Sequence, residues 1–128
     1  MSDAQKLESY MINLGLTYEE IDDNSWLIND DEKGLEQVVV ILADPQVIIR
    51  VNVMKIPEKN REEFYKKLLT LNASDLVHGA YGLEEDAVIL VDNHEYSTMD
   101  LEEFQASLDA IGLALAQHYQ ILSGFRNA

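Results

Sequence analysis

The chain of 128 residues is long enough for one domain and too short for two of ordinary size. Because 47% of the residues are hydrophobic, the chain can fill a core, which excludes wholesale disorder. Its 24 acidic and 9 basic residues give a net charge of −15, which argues against binding the phosphates of DNA or RNA. Spread over an expected surface of roughly 7,000 Å², the excess charges stand about 20 Å apart, farther than the Debye length of about 8 Å. The charge therefore favours solubility without opposing folding.

The absence of cysteine excludes disulfides, thiolate metal sites and cysteine nucleophiles. The N-terminal residues lack the basic start and apolar stretch of a secretory signal. The longest apolar runs, Val38–Ala43 and Leu113–Ala116, are far shorter than the ~20 residues of a membrane helix. The sequence contains no repeat and no flexible linker. We therefore expect a single cytoplasmic domain over residues 1–128 that binds neither membranes nor nucleic acids.

Residues 2–14 are predicted to form an amphipathic helix. Its apolar residues recur at helical spacing: Leu7, Tyr10, Met11 and Leu14. Ser2 and Gln5 have the spacing of a capping box at the start of this helix, and Gly15 supplies its end.

A β-rich stretch follows the first helix. Short strands are predicted at Thr17–Asp22, Ser25–Ile28, Leu35–Ala43 and Gln46–Lys55. The proline in Asp44-Pro45 favours a tight turn, so the last two strands should form an antiparallel hairpin. The run Val38–Leu42 is apolar at every position, which indicates an inner strand covered on both faces.

The second half of the chain begins with another helix. Pro57 is predicted to open it, with an alternative start at Asn60, where Glu63 completes a capping box. Its apolar residues form one stripe that two others widen: Phe64, Leu68 and Leu71, with Tyr65 and Leu69. A hairpin of His78–Glu84 and Ala87–Asp92 follows, turned by Glu85-Asp86.

The last helix is predicted from Asp100, which with Glu103 forms a capping box, to about Leu122. Its apolar face repeats in steps of three and four: Leu101, Phe104, Leu108, Ile111, Leu115, His118 and Leu122. A coiled-coil seam has this pattern, but a helix packed on its own sheet has it too and is favoured for a lone helix. The fold class is therefore α+β: an antiparallel sheet covered by helices, in the order helix, strands, helix, two strands, helix.

The sequence contains no recognisable catalytic or metal-binding constellation. Its three histidines, His78, His94 and His118, lie in separate elements and form no HExxH motif, which favours structural or solvated roles. The acid clusters Asp22-Asp23-Asn24 and Asp30-Asp31-Glu32 lack the spacing of a calcium loop and are interpreted as solvated turns. We predict no catalytic residue, no metal and no cofactor.

The GxxG string Gly79-Ala80-Tyr81-Gly82 is not interpreted as a nucleic-acid loop, because it falls in a predicted strand of an acidic chain. The basic residues are unevenly distributed, and six of the nine cluster in and around the second helix: Arg50, Lys55, Lys59, Arg61, Lys66 and Lys67. This cluster could steer assembly or an ionic partner, or Glu58, Glu62 and Glu63 could neutralise it locally.

Several segments together carry a resemblance to a known family. The run Val47–Pro57 is followed by Phe64–Asn72, by Gly79-Ala80-Tyr81-Gly82-Leu83, by Ala87–Val91 and by a helix that starts at Leu101-Glu102-Glu103-Phe104. This succession resembles the YbjN family, which is similar in fold to the type III secretion chaperones of the Tir chaperone group. The likeness covers residues 1–122, and its most specific part is the pattern LLxLN followed by GAYGL.

The resemblance implies a helix–sheet–helix sandwich that forms a homodimer and binds other proteins. In the secretion chaperones the middle helix and the following strand build the dimer contact. The matching residues of this chain are Phe64, Leu68, Leu71, Gly79, Tyr81 and Leu83. The chaperones hold an extended effector on apolar patches of the first helix and the sheet, which implies partner contacts at Leu7, Met11 and Leu14.

Two hypotheses follow. In the first, the chain is a non-enzymatic, chaperone-like domain that acts as a homodimer and binds an unidentified protein or peptide, with regulation as one use of that binding. In the second, it is a regulatory domain that binds a small ligand in a pocket between the sheet and the helices. An exposed apolar patch on the first helix would favour the former, and an enclosed cavity the latter.

Overall fold

The computed structural model describes residues 2–126, which form three helices and a six-stranded antiparallel sheet. The helices are α1 (Asp3–Asn13), α2 (Arg61–Ser74) and α3 (Leu101–Ser123). The strands are β1 (Tyr18–Asp22), β2 (Ser25–Asp30), β3 (Leu35–Ala43), β4 (Gln46–Lys55), β5 (Ala80–Glu84) and β6 (Ala87–Glu95). The predicted α+β class and the predicted order of elements are confirmed.

The strands lie in the order β1-β2-β3-β4-β6-β5, so β1 and β5 are the two edges of the sheet. The predicted hairpin of β3 and β4 is confirmed, with Ala43 opposite Gln46 across the Asp44-Pro45 turn. After β4 the chain forms α2 at the edge of the sheet and returns through β5 to β6, which pairs with β4. This return places α2 beside the edge strand β5.

The helices cover only one face of the sheet. On that face the side chains of Val38, Val40, Ile49 and their neighbours are almost completely buried, whereas the alternate residues of the same strands are only partly buried. The prediction that the Val38–Leu42 run is covered on both faces is therefore wrong, since Val39 and Ile41 are half-exposed. Antiparallel sheets can leave one face to solvent, and here the neighbouring strands alone shield the second face.

Two of the three predicted helix starts are confirmed by hydrogen bonds. Ser2 and Gln5 form both bonds of the capping box, at 2.8 and 3.1 Å, and the Asp100 side chain accepts the Glu103 N–H at 2.8 Å. The predicted start of α2 at Pro57 is wrong, and the alternative start is confirmed, because Asn60 is the N-cap and the helix begins at Arg61. The predicted capping box is not formed, since the Asn60 side chain makes no capping hydrogen bond. The Ile56 N–H is still hydrogen-bonded to the Asp86 carbonyl at 2.7 Å, so the chain needs four further residues to leave the sheet.

The apolar stripe of α3 lies on the chain's own sheet, as the favoured interpretation predicted. Phe104, Leu108, Ile111, His118 and Leu122 are all buried. The spacing thus reflects packing within the chain. A single long helix supplies the cover for the central strands, with α1 beside it.

Gly79 allows the chain to enter β5. It has a φ of +81°, and a Cβ atom there would lie 2.8 Å from the carbonyl oxygen of Val91 on β6. Gly79, which the resemblance places in the dimer contact, thus makes its close approach to a strand of the same chain. Gly82 is different, because its Cβ would meet only the Ile89 side chain, at 3.8 Å.

Gly79→Ala should therefore lower the free energy of unfolding by about 2 kcal/mol or more, through the left-handed backbone and the clash with the Val91 carbonyl. Gly82→Ala is the matched control and should change stability by less than about 1 kcal/mol. Urea denaturation followed by circular dichroism measures both. Equal transition midpoints for the two variants would show that the glycine at the entry to β5 is not required.

Candidate functional site: the α2–β5 edge and the β3–β4 fork

An apolar surface lies where α2 meets the edge strand β5. We call it the α2–β5 surface and define it by Tyr65, Leu69, Ala73 and Leu83, which line two adjoining shallow depressions. The Leu69 side chain is 69% exposed and that of Leu83 is 50% exposed. Large aliphatic side chains exposed side by side are a mark of an interaction surface.

Only part of the predicted dimer contact lies on this surface. Phe64, Leu68, Leu71 and Tyr81 are buried in the core of the chain itself, and only Leu83 is well exposed. The prediction is therefore corrected for these four residues: their side chains are occupied within one copy, and Phe64 packs edge-on against Phe125 with ring centroids 5.2 Å apart. The neighbouring residues of α2 form the outer face.

The predicted partner contacts on α1 need a similar correction. The side chains of Leu7 and Met11 are completely buried in the core, and Leu14 is half-buried against it. The prediction of an amphipathic helix is confirmed, but the predicted contact residues pack against the core, whereas the neighbouring Ile12 is 67% exposed. A helix of 11 residues needs that tertiary burial to be stable.

A network of side chains fixes α2 and α3 to the edge strand. The Asn72 side chain accepts the N–H of Tyr81 at 2.7 Å and donates to its carbonyl at 3.1 Å, so it occupies the outer backbone edge of β5. The Tyr81 hydroxyl lies 2.6 Å from Nδ1 of the buried His118, whose Nε2 lies 3.3 Å from an oxygen of Asp75. A single residue of β5 is thus held by both helices.

Burial, together with the nearby carboxylate of Asp75, raises the pKa of Tyr81 to about 12 from an ordinary value of 10.0. Between these pH values the unfolded chain releases the phenol proton while the native chain keeps it, so stability is full below pH 10.0 and falls as the pH rises. We expect the free energy of unfolding to fall by about 1–3 kcal/mol once the pH reaches about 12.

This contribution is measured by urea unfolding over a series of alkaline pH values. Tyr81→Phe should be less stable at neutral pH but should lose less stability on alkalisation, because it has no buried phenol to ionise. Comparison of the two proteins cancels the titration of the other tyrosines and the lysines. Parallel pH profiles for both proteins would contradict the assigned burial of the phenol proton.

A second polar cluster lies at the other end of α3. One carboxylate oxygen of Asp92 accepts the hydroxyl of the buried Ser107 at 2.6 Å and lies 3.1 Å from Nε2 of His94. Of the two roles predicted for the histidines, the solvated one is wrong for His94, which belongs to β6 and is mostly buried. Because the serine donates to the carboxylate and not to the histidine, the group is not arranged as a nucleophilic triad.

The three histidines do not converge on one site. Ser107, beside His94, and His118 are 11 residues apart on α3, which separates the two clusters by about 16 Å along the helix. Within residues 2–126, no group of three or more His, Asp or Glu side chains is placed to hold a metal ion. In the same range, none of the helices combines the length and apolar character needed to cross a bilayer.

The acidic turns have structural roles. The side chain of Asp22 accepts the Ser25 hydroxyl at 2.6 Å and the Asn24 N–H at 2.9 Å, and these hydrogen bonds lower its pKa. Asp30 is buried and accepts the N–H of Thr17 at 3.1 Å. Asp22 therefore stabilises the turn between β1 and β2, as predicted for a turn residue. Asp30 is not a solvated turn residue, because it is buried and joins the end of β2 to the residue before β1.

A cavity of about 370 Å³ opens where β3 and β4 separate. The ladder between them ends at the pair Val38 and Val51, although β4 continues to Lys55 alongside β6. On the β3 side, Gln37 has a φ of 56° and is held by two hydrogen bonds to Asn29. On the β4 side, a bulge interrupts the register between Asn52 and Met54. We call this opening the fork.

The fork has an apolar wall from the sheet and from α3: Val51, Met54, Leu115 and Leu122. Polar groups, among them Gln37 and Arg126, line its remainder. The second hypothesis, a pocket between sheet and helices, therefore has a physical candidate of a size used for ligands. Sequence reasoning missed it because neither the bulge nor the positive φ of Gln37 has a signature in the residues involved.

Comparison with known proteins supports the resemblance found in the sequence. The model of the family CesT_Tir_1 matches residues 1–128, the whole chain. The chain belongs to this family of type III secretion chaperones. No curated protein matches it in sequence.

Solved structures confirm the fold. One chain of the heterodimeric ExoU–SpcU complex of the Pseudomonas aeruginosa type III secretion system is similar with a TM-score of 0.74 and 14% identity, over 95% of this chain and 99% of that one. YbjN, a putative transcription regulator from E. coli, is similar with a TM-score of 0.66 and 13% identity, over 91% of this chain and 90% of that one. An uncharacterized protein from Methanothermobacter thermautotrophicus is similar with a TM-score of 0.72 and 14% identity, over 96% of this chain and 98% of that one. At these identities the likeness concerns the fold.

Proposed function

We propose that this protein is a non-enzymatic, chaperone-like domain of the cytoplasm that forms a homodimer and binds another protein. Its family consists of chaperones, and similar solved structures include chaperones in complex with effectors. The observation that supports the homodimer is the exposed α2–β5 surface, on which Leu69 and Leu83 lie side by side.

Electrostatics favour contact through α2. The whole chain has a net charge of −15, so two copies repel each other in most orientations. α2 has three cationic and two acidic side chains, which makes it a part of the molecule that carries no excess negative charge. In a two-fold dimer the same surface of both copies meets, so Leu69 would lie against the apolar residues of the partner copy.

Backbone pairing does not contribute at the centre of this contact. Asn72 already occupies the outer N–H and C=O of Tyr81, so a second β5 strand cannot add there without displacing it. The two copies therefore meet through side chains. A contact of this kind depends on desolvation of the leucines and should be sensitive to a single buried charge.

Light scattering coupled to size-exclusion chromatography tests the dimer. The wild-type chain should elute with about twice the mass of one copy, and Leu69→Asp or Leu83→Asp should give monomers that keep their circular dichroism spectrum. Leu113→Asp is the matched control, because Leu113 on α3 is 59% exposed and lies outside the surface. A monomeric wild-type protein, or dimers in all three variants, would contradict the assignment.

Protein binding needs its own test. The purified chain, immobilised through its C-terminus, should retain one or a few proteins from the native cytoplasm in near-stoichiometric amounts after washing with salt. A folded acidic protein of similar size and charge serves as the control matrix. Retention of the same proteins by both matrices, or of none by the chain, would contradict the chaperone-like role irrespective of the dimer result.

A further inference from the structure

The fork has apolar residues at its base and charged residues at its mouth. Val51 and Met54 from the sheet and Leu122 from α3 are nearly buried, yet they line the cavity of about 370 Å³. Glu36 on β3 and Arg126 after α3 line the same cavity and are exposed. The cavity therefore offers a ligand desolvation at the base and ionic contacts at the mouth.

The two charged residues are held on separate walls of the cavity. Gln37, the neighbour of Glu36, is fixed to the Asn29 side chain by hydrogen bonds of 2.8 and 3.2 Å. Phe125, the neighbour of Arg126, packs against the hydrophobic core. The backbone is thus anchored beside both charges, one on the strand side and one on the helix side.

Neither charge is neutralised by a near neighbour. Within residues 2–126, neither Glu36 nor Arg126 takes part in an ion pair, with each other or with any other residue. The remaining lining includes uncharged residues that can form hydrogen bonds: Gln37, Asn52 and Tyr119. A space therefore separates one negative and one positive group, each open to a ligand.

The pair of charges decides the charge of that ligand. An anion attracted by Arg126 is repelled by Glu36, and a cation experiences the reverse, because screening over about 8 Å does not separate two charges on one small cavity. A ligand that carries both a positive and a negative group satisfies both residues. Such a ligand has no net charge, so the charge of −15 on the protein does not repel it.

The size and the base of the cavity narrow the class further. Its volume of about 370 Å³ lies near the lower end of the range for ligand pockets, about 300–1,000 Å³, which favours a small molecule. The base is lined by Val51, Met54, Leu115 and Leu122. These side chains match an aliphatic group. An α-amino acid with an aliphatic side chain carries an ammonium, a carboxylate and an apolar branch on one carbon, and the lining complements all three.

We propose that the fork binds a free amino acid with a large aliphatic side chain, such as leucine. Its ammonium lies against Glu36 and its carboxylate against Arg126, while its side chain packs on the apolar base. This activity goes beyond protein binding and gives the small-ligand hypothesis a chemical class. The site is formed within one copy, so it depends neither on the homodimer nor on a bound protein.

Isothermal titration calorimetry of the full-length protein tests the proposal with four probes. L-leucine should bind. N-acetyl-leucine, which lacks the ammonium, and leucinamide, which lacks the carboxylate, should each bind at least about tenfold more weakly, because each loses a charge-assisted contact. Glycine keeps both charges but has no side chain to bury, and it should also bind at least about tenfold more weakly.

Two variants assign each charged group of the ligand to its residue. Glu36→Gln should remove the preference for leucine over N-acetyl-leucine, and Arg126→Gln should remove the preference for leucine over leucinamide. Glu102→Gln and Lys67→Gln are the matched controls, because both residues are exposed and lie outside the lining of the fork. They should leave the affinity for leucine unchanged within about twofold.

Three results would overturn this inference. The first is a wild-type protein that does not bind leucine at millimolar concentrations. The second is equal affinity for leucine, N-acetyl-leucine and leucinamide, which would exclude recognition of both charged groups. The third is full affinity for leucine in both fork variants with unchanged circular dichroism spectra, which would exclude the fork as the site.

Discussion

The architecture depends on how the backbone groups at the margins of the sheet are satisfied. A buried N–H or C=O without a partner costs free energy comparable to a lost hydrogen bond, so each margin must be paired, covered or left to water. At β5 the side chain of Asn72 takes the place of a further strand and binds both backbone groups of Tyr81. At the fork, within the described residues 2–126, no strand pairs with this side of β4 beyond Val51, and a cavity adjoins the strand. One margin of the sheet is thus closed by a side chain, whereas the other opens into a cavity.

One-sided covering of the sheet explains why so much apolar surface is unavailable to partners. α1 and α3 use their apolar faces on the sheet, and α2 uses Phe64, Leu68 and Leu71. The apolar residues of α2 that remain at the surface, such as Tyr65 and Leu69, lie beside this buried row on the same helix. A contact between copies would therefore rest on the residues that widen the predicted stripe, while the stripe itself holds the helix in place. The buried His118 and Tyr81 join the two helices at the same point, which makes the α2–β5 surface a rigid one.

The net charge of −15 limits where this protein can form attractive contacts. In an acidic molecule, attractive contacts between copies or with an acidic partner are restricted to the few places where cations gather. α2 is such a place, with three cationic and two acidic side chains. Screening by salt makes this local arrangement more important than the net charge.

Local patterns in the sequence predicted most elements of the fold: the capping box at Ser2, the hairpin at Asp44-Pro45 and the repeating steps of α3 are all confirmed, because each is a local pattern with a local cause. The residues of the candidate site were predicted only in part. Helical spacing identifies the apolar stripe of Phe64, Leu68 and Leu71 but cannot say whether that stripe faces the chain's own sheet or a second copy. Likewise, no local pattern marks the point where β3 leaves β4, or brings Asp75, Tyr81 and His118 together from three elements. Those features depend on contacts between residues that are far apart in the chain, and such contacts exist only once the tertiary structure has formed.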